Sequence, residues 1–258
     1  MNAGTYLARI AYEGELGPSS ATLRALHRQH LFTVPFENLD IPLGTPIKLE
    51  LPLLYDKIVT RGRGGFCYEL NGLFCWLLAE LGFQVQMLAA GVRSGDGGFG
   101  PEFDHMLLKI EVEGTWLADV GFGESFVNPI RLAEGAEDRA NGKRYFLAQD
   151  GGEWLLVREE QQGDVPQYRF RDVPHEVGEY SAMCDYHQYS PLSHFTQSWI
   201  CSKATPEGRI TLANWKLIIS QGAERQEVPL ASEAELRGAL RDYFGIALPA
   251  AADLSRLL

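Results

Sequence analysis

The sequence predicts an α+β chain laid out in three stretches: a helical first third, a small antiparallel barrel or curled sheet, and a mixed α/β end. Three observations lead there. Apolar residues recur at three-and-four spacing as far as Leu81, they alternate over short runs after Gly82, and from about Glu179 strands give way to one capped helix. The expected boundaries are 1–83, carrying a candidate cysteine nucleophile, 84–185, carrying a candidate histidine and aspartate, and 186–258.

In the first stretch, Ser19 or Ser20 caps a helix with Leu23, Leu26, His27, His30 and Leu31 on one side. Leu53, Leu54, Ile58 and Val59 mark another after Pro52. Between them, Pro35 forces an extended or turn conformation at Val34, so Val34 to Ile41 is a connector that brings Phe36 and Glu37 to a defined place. His27 and His30 read as packing residues, since no nearby cysteine or carboxylate pair completes a metal set.

The segment Arg61 to Leu81 is the pivot. Leu70, Leu73, Phe74, Leu77, Leu78 and Leu81 form one apolar helical face, and Gly82 is the stop. Gly62, Gly64 and Gly65 hold the start of this helix close to Phe66 or Cys67. The Cys67 thiol therefore sits in the first turn, where unpaired N–H groups and the helix dipole favour thiolate, with Arg61 and Arg63 nearby. Two readings stand for it, a nucleophile or a packed thiol; Cys75, between Phe74 and Leu77, reads as core.

After Gly82, Phe83, Val85 and Met87 alternate, then Met106, Leu108, Ile110 and Val112, then Trp116, Ala118 and Val120. Glu113-Gly114 joins the last two runs as a tight hairpin. Further strands are expected at Tyr145 to Ala148, Trp154 to Val157 and Gln167 to Phe170. In the last stretch, Asp185 to Phe195 mixes His, Tyr and Ser around Pro191, and strands follow at Trp199 to Ser202, Arg209 to Ala213 and Trp215 to Ser220. Ser232-Glu233-Ala234-Glu235 is a capping box for a final helix, with Leu236, Leu240 and Tyr243 or Phe244 inward and Gly245 as the stop.

A net charge of -11 and the absence of a basic run argue against nucleic-acid binding, though a small anionic co-substrate needs only a local group of arginines or a helix N-terminus. No apolar run approaches a membrane span and the first ten residues lack a secretory head, so a cytoplasmic location is expected. The four cysteines, at 67, 75, 184 and 201, are spaced too irregularly for a disulfide framework and read as reduced thiols. Cys184 and His187 have metal-ligand spacing, but no second pair exists, and no metal is expected.

A nucleophilic thiol needs a base, and the base needs a group to orient it. The hairpin supplies both. Pairing about Glu113-Gly114 brings His105, at the start of one strand, near-opposite Asp119, at the end of the other. An aspartate among Leu117, Ala118 and Val120 needs a partner, and an imidazole provides one. Read singly, Asp119 is a turn residue and His105 a surface one; read with Cys67, they form the Cys, His, Asp order that thiol-dependent acyl transfer requires.

These residues also carry a resemblance. Arg63-Gly64-Gly65-Phe66-Cys67-Tyr68-Glu69-Leu70-Asn71, with Val34-Pro35-Phe36-Glu37-Asn38-Leu39, Asp104-His105-Met106 and Asp119-Val120-Gly121-Phe122-Gly123, resembles the arylamine N-acetyltransferases over nearly the whole chain. Ser190 to Phe195 and Thr205-Pro206-Glu207-Gly208 resemble that family's third domain. The resemblance implies a transglutaminase- or papain-like cysteine core, with a helical bundle, an antiparallel β-barrel and an α/β lid. It implies acetyl coenzyme A as donor and an arylamine or hydrazine as acceptor. It implies that Cys67, His105 and Asp119 are catalytic, that Phe36 and Phe122 line the acceptor pocket, and that Gly123, Ser202 and Thr205 lie near the donor. Glu102 and Asp104 depart from it, since some relatives have small residues there.

Rival readings are a macrolactam-forming amide synthase with the same triad, a transglutaminase- or protease-like hydrolase, and a non-catalytic protein that binds aromatic amines or coenzyme A esters. Phe36, Phe66 and Phe122 suggest a small aromatic pocket rather than a peptide groove, which disfavours the hydrolase. The oligomeric state is not legible.

Overall fold

The computed structural model describes residues 1–222 and 224–257; positions 223 and 258 of the expected third stretch lie outside the described residues. The first stretch holds α1 (Ala3–Arg9), α2 (Ser20–Thr33), a two-residue strand β1 (Phe36–Glu37), α3 (Leu51–Tyr55) running into a π-helical turn at Asp56–Thr60, and α4 (Cys67–Glu80). Ser19 caps α2 by accepting the Thr22 N–H, and Leu23, Leu26, His27 and His30 face inward as the spacing predicts. Helix α1 escapes sequence reading because seven residues give no measurable period, yet Tyr6 and Leu7 are buried.

Helix α4 starts at Cys67, and Gly82 follows it with φ +88°. Its expected single apolar face is not what is found. Residues 67–74 are buried all round, Glu69 and Asn71 included, because α1 and α3 pack against the helix together with two strands of the following sheet. A helix wrapped by partners needs polar groups that pair inside the protein, and a search for one apolar face misses them.

The second stretch is an eight-stranded antiparallel sheet. Its strands are β2 (Gln84–Val92), β3 (His105–Glu111), β4 (Thr115–Ala118), β5 (Ile130–Arg131), β6 (Glu137–Ala140), β7 (Lys143–Asp150), β8 (Glu153–Glu160) and β9 (Gly163–His175). The order is β5-β4-β3-β2-β9-β8-β7-β6, and the edge strands β5 and β6 approach each other, so the sheet is nearly a closed barrel. Asp138 on β6 bridges the gap by accepting the N–H groups of Val127 and Asn128. The Glu113-Gly114 hairpin has its expected register, with Glu111 opposite Thr115 and Leu108 opposite Ala118. Strands β5 and β6 were not expected; each is too short to show alternation.

The last stretch opens with a 3-10 turn at Val177–Tyr180, α5 (Ser181–Tyr189) and α6 (His194–Gln197). The boundary expected after Asp185 therefore falls inside α5, a helix whose mixed polar text carries no apolar stripe. Strands β10 (Ile200–Thr205), β11 (Gly208–Ala213), β12 (Lys216–Gln221) and β13 (Glu224–Pro229) follow, then α7 (Glu233–Phe244). The sheet order is β1-β10-β11-β12-β13, so two residues of the first stretch form its edge: Phe36 pairs with Ser202 and Glu37 with Cys201. Helix α7 lays Leu236, Ala239, Leu240 and Phe244 onto Cys201, Leu212 and Leu217, while Tyr243 stays exposed. Gly245 ends it with φ +71°. Among the described residues no helix is long and apolar enough to cross a membrane.

Candidate active site

The three stretches meet at the first turn of α4. The loop that leads into Cys67 runs beside β1, where the Glu37 N–H donates to Gly65 O at 2.9 Å. A Cβ on Gly64 would lie 2.0 Å from the Pro35 carbonyl oxygen, so only glycine allows this approach. Beneath the loop lies a buried set of charges. Arg63 donates to Glu37 Oε1 and Asp40 Oδ1, both at 2.9 Å, and Lys57 Nζ lies 2.8 Å from both Asp40 Oδ2 and Glu69 Oε1. Glu69 Oε2 accepts the Phe66 N–H at 3.1 Å, which ties the set to the helix start. Arg9, from α1, donates to the carbonyls of Thr33, Ile58, Gly62 and Arg63. The arginines expected to help the thiol thus have other work: Arg63 is locked into the ion set, and Arg61, half exposed, pairs with Asp56.

Cys67, His105 and Asp119 are all buried, the thiol residue 4% exposed. His105 Nε2 lies 2.8 Å from Asp119 Oδ2. Burial pushes the Asp119 carboxyl up, but His105, Asn71 and the Gly121 N–H outweigh it and hold the group below the usual carboxylate range. An ionised carboxylate only accepts, so Nε2 carries the proton and Nδ1 is left as the base. The backbone of Met106, the residue after His105, acts on the Cys67 sulfur to favour its ionised form, and a Cβ on Gly121 would lie 2.7 Å from Cys67 Cα. The nucleophile candidate is therefore wedged between the two strand ends that bear the other two residues.

Burial pushes the Cys67 thiol well above its ordinary value, and the carboxylates of Asp104 and Asp119 push the same way, while the Met106 backbone lowers it. This corrects the expectation that the helix start alone favours thiolate: with the thiol out of water, a base must take its proton.

Several neighbours were invisible in the sequence. Asn71, one turn after Cys67, donates to Met106 O at 2.6 Å and Asp119 Oδ1 at 2.9 Å, and accepts the Val120 N–H at 2.9 Å. One amide thereby ties the helix to both strands. His27, read as packing, accepts the Asp119 N–H at 3.1 Å through Nε2 and donates from Nδ1 to Val127 O at 2.9 Å. Burial keeps its pKa low, so this neutral tautomer is the stable form. The Tyr168 ring packs on His105 with centroids 5.2 Å apart. The spacing of Asn71 from Cys67, on the same helical face, was the one available signal.

The expected acceptor residues come together. Phe122 meets the His105 ring edge-to-face at 5.0 Å, Phe36 lies 6.2 Å from Phe195, and a Cβ on Gly123 would touch the Phe36 ring at 3.6 Å. The donor candidates divide. Gly123 adjoins this aromatic wall, whereas the Ser202 hydroxyl is engaged by Thr211 at 2.9 Å and Arg209 at 2.8 Å, and the Thr205 hydroxyl accepts the Gly208 N–H in the β10–β11 turn. Lys143, Arg158 and Arg209 gather round the single carboxylate of Glu124, one residue past Gly123. Cys184 and His187 each have separate partners: the Gln188 amide reaches the sulfur at 3.3 Å, and His187 contacts Asp104 and Ser193.

Residues 20–253 match a family model described as N-acetyltransferase. The chain is 34% identical to the arylamine N-acetyltransferase of Escherichia coli K12 over 93% of its own length and 87% of that protein. It is 34% identical to the arylamine N-acetyltransferase of Mycolicibacterium smegmatis, over 96% and 93% of the two chains. Among solved structures, the Mycobacterium marinum arylamine N-acetyltransferase in complex with CoA superposes with a TM-score of 0.91 at 30% identity, covering 99% of this chain and 97% of that one.

Proposed function

We infer the reaction from one premise: this chain belongs to the arylamine N-acetyltransferase family. It is an acyltransferase that moves acetyl groups to arylamines. We propose that Cys67, His105 and Asp119 carry the transfer in two half-reactions, with acetyl coenzyme A as donor and an arylamine or arylhydrazine as acceptor.

In the first half-reaction His105 Nδ1 takes the Cys67 proton, and Asp119 holds the imidazolium through the 2.8 Å contact at Nε2. The thiolate attacks the thioester carbonyl, and the unpaired N–H groups at the head of α4, Cys67's own among them, stabilise the oxyanion. The bond to the coenzyme A sulfur breaks, and that sulfur leaves with the proton from His105. In the second half-reaction the amine, stacked against Phe36 and Phe122, attacks the acetyl-Cys67 carbonyl and gives its proton to His105. The Cys67 sulfur is then the leaving group and recovers the proton. An aryl nitrogen suits this step because it is unprotonated at neutral pH.

The observation that carries this reading is the His105–Asp119 pair, 2.8 Å apart, beside the buried Cys67 thiol. The four free thiols favour a reducing, cytoplasmic setting, and foreign aromatic amines are the acceptor class that the small aromatic wall fits. Intact-protein mass spectrometry after mixing with acetyl coenzyme A alone tests the reading. One acetyl is expected on the native chain, discharged by an aniline, and none on Cys67→Ala. An unchanged adduct in Cys67→Ala would sink the assignment.

A further inference from the structure

Helix α4 grips the main chain on both sides of His105. The Tyr68 hydroxyl donates to Phe103 O at 2.6 Å and Asp104 O at 3.2 Å, the carbonyls of the two residues before the imidazole. One turn on, Asn71 Nδ2 donates to Met106 O at 2.6 Å, just after it. Tyr68 adjoins Cys67 in the first turn of the helix and is wholly buried. His105 is the first residue of β3, opposite Ala90, so the ladder to β2 secures the chain from His105 onward and leaves Phe103 and Asp104 outside it. Phe103 has φ +70°, a left-handed conformation that a bulky residue keeps only when its surroundings hold it there. Its ring stands edge-on to His175 at 4.7 Å and to Tyr180 at 5.1 Å, and the Asp104 N–H donates back to Pro101 O at 3.3 Å.

We propose that Tyr68 is a positioning residue for His105: its hydroxyl holds Phe103 in the left-handed conformation and so fixes the imidazole relative to the Cys67 thiol. The inference rests on the reading of His105 as the base for Cys67. Proton transfer needs the two groups within hydrogen-bond reach, and a rotation about the Phe103 backbone would swing the start of β3 and the ring it carries. The thiol is 4% exposed, so bulk water does not replace a base that has moved away. The Asp104 carboxylate has holders of its own, the Val92 N–H at 3.3 Å and His187 Nε2 at 3.2 Å. What depends on Tyr68 is therefore the peptide of Phe103. Because Cys67 and Tyr68 are consecutive in one helical turn, the nucleophile and the clamp on its base sit on the same rigid mount.

The test is the rate of Cys67 alkylation by iodoacetamide at neutral pH, with the modified peptide identified by mass, because it reads the thiol and its base without needing turnover. Tyr68→Phe removes only the hydroxyl, and the rate is expected to fall about tenfold, the equivalent of one lost hydrogen bond. A merely structural role gives the opposite sign, since a loosened site exposes the thiol and speeds alkylation. Phe103→Gly supplies the second arm. Glycine takes a positive φ without a clamp, so in that background Tyr68→Phe is expected to change the rate by less than about twofold. If Phe103→Gly does not fold, Phe103→Asn takes its place, since asparagine also tolerates the left-handed region. An unchanged or faster rate in Tyr68→Phe overturns the proposal, and so does a tenfold loss that persists when residue 103 is replaced. Acetylation of native Cys67 by acetyl coenzyme A is read separately: its absence defeats the catalytic reading, whereas the alkylation rates decide the role of Tyr68 whatever the donor.

Discussion

Two groups of charges in this molecule use the same residue types to opposite effect. At the head of α4, Glu37, Asp40, Lys57, Arg63 and Glu69 are each no more than 6% exposed and are all mutually paired. On the barrel, Glu153 pairs with Arg169 at 3.3 Å and Arg171 at 3.0 Å in open solvent, and Glu137 pairs with Arg139 and Arg144. Water and salt screen the outer group, so its geometry is one option among many. The inner group has no water to fall back on. Each member must find its partner, and the arrangement in which they do so holds the Cys67 loop against β1. Charge specifies structure here only where solvent is excluded.

The contrast can be broken first at Arg63. Arg63→Ala leaves Glu37 and Asp40 buried with fewer partners and is expected to cost about 3–5 kcal/mol in denaturant unfolding, with loss of Cys67 acetylation at temperatures where the native chain is active. Lys57→Met belongs in the same range, since Asp40 and Glu69 lose their shared cation. A loss below about 1 kcal/mol in either variant would erase the distinction from the surface pairs.

A middle-sized effect sharpens the comparison through pH. Burial pushes the Glu69 carboxyl from 4.5 up to about 7, so the folded chain binds a proton there that the unfolded chain has released. Stability from this group is therefore present at low pH and falls as pH rises through the window from 4.5 to about 7. Glu69→Gln, which keeps an acceptor for the Phe66 N–H, should remove that slope: the stability of native relative to variant declines across the window and then levels. Parallel stability curves for the two proteins would contradict it.

At the small end, Glu153→Ala removes the carboxylate that Arg169 and Arg171 share and is expected to change stability by less than about 1 kcal/mol, and less again in high salt. Thermal unfolding in low and high salt checks this. A larger loss would mean that the barrel surface is as specific as the helix head.

Legibility in the sequence follows the same divide. The start of α4 was readable because three glycines and a helical apolar period bracket Cys67, and the hairpin register was readable because two residues fix the turn. Together those placed His105 near Asp119. Asn71 was not readable: its three hydrogen bonds join groups far apart in sequence, and a lone asparagine on a helix otherwise reads as solvent-facing. His27 packs in the interior as expected, stacked on Phe126, but its hydrogen bond to the Asp119 N–H was not readable, since a packing histidine and one that also holds a backbone N–H look alike until the partner strand is in place. Helix α5 hid because its apolar residues have no stripe, and His187 hid with it.

The edge strand β1 has one more consequence, for how the chain is made. The Ile200 N–H donates to Asn38 Oδ1, 162 residues earlier, just beyond the two pairs that join β1 to β10. At about 5–20 residues per second on the ribosome, Phe36 and Glu37 wait roughly 8–30 s for the strand that pairs with them. For that interval the nascent helical segment carries an open edge beside the Cys67 loop, and the loop acquires its final shape only after β10 has emerged.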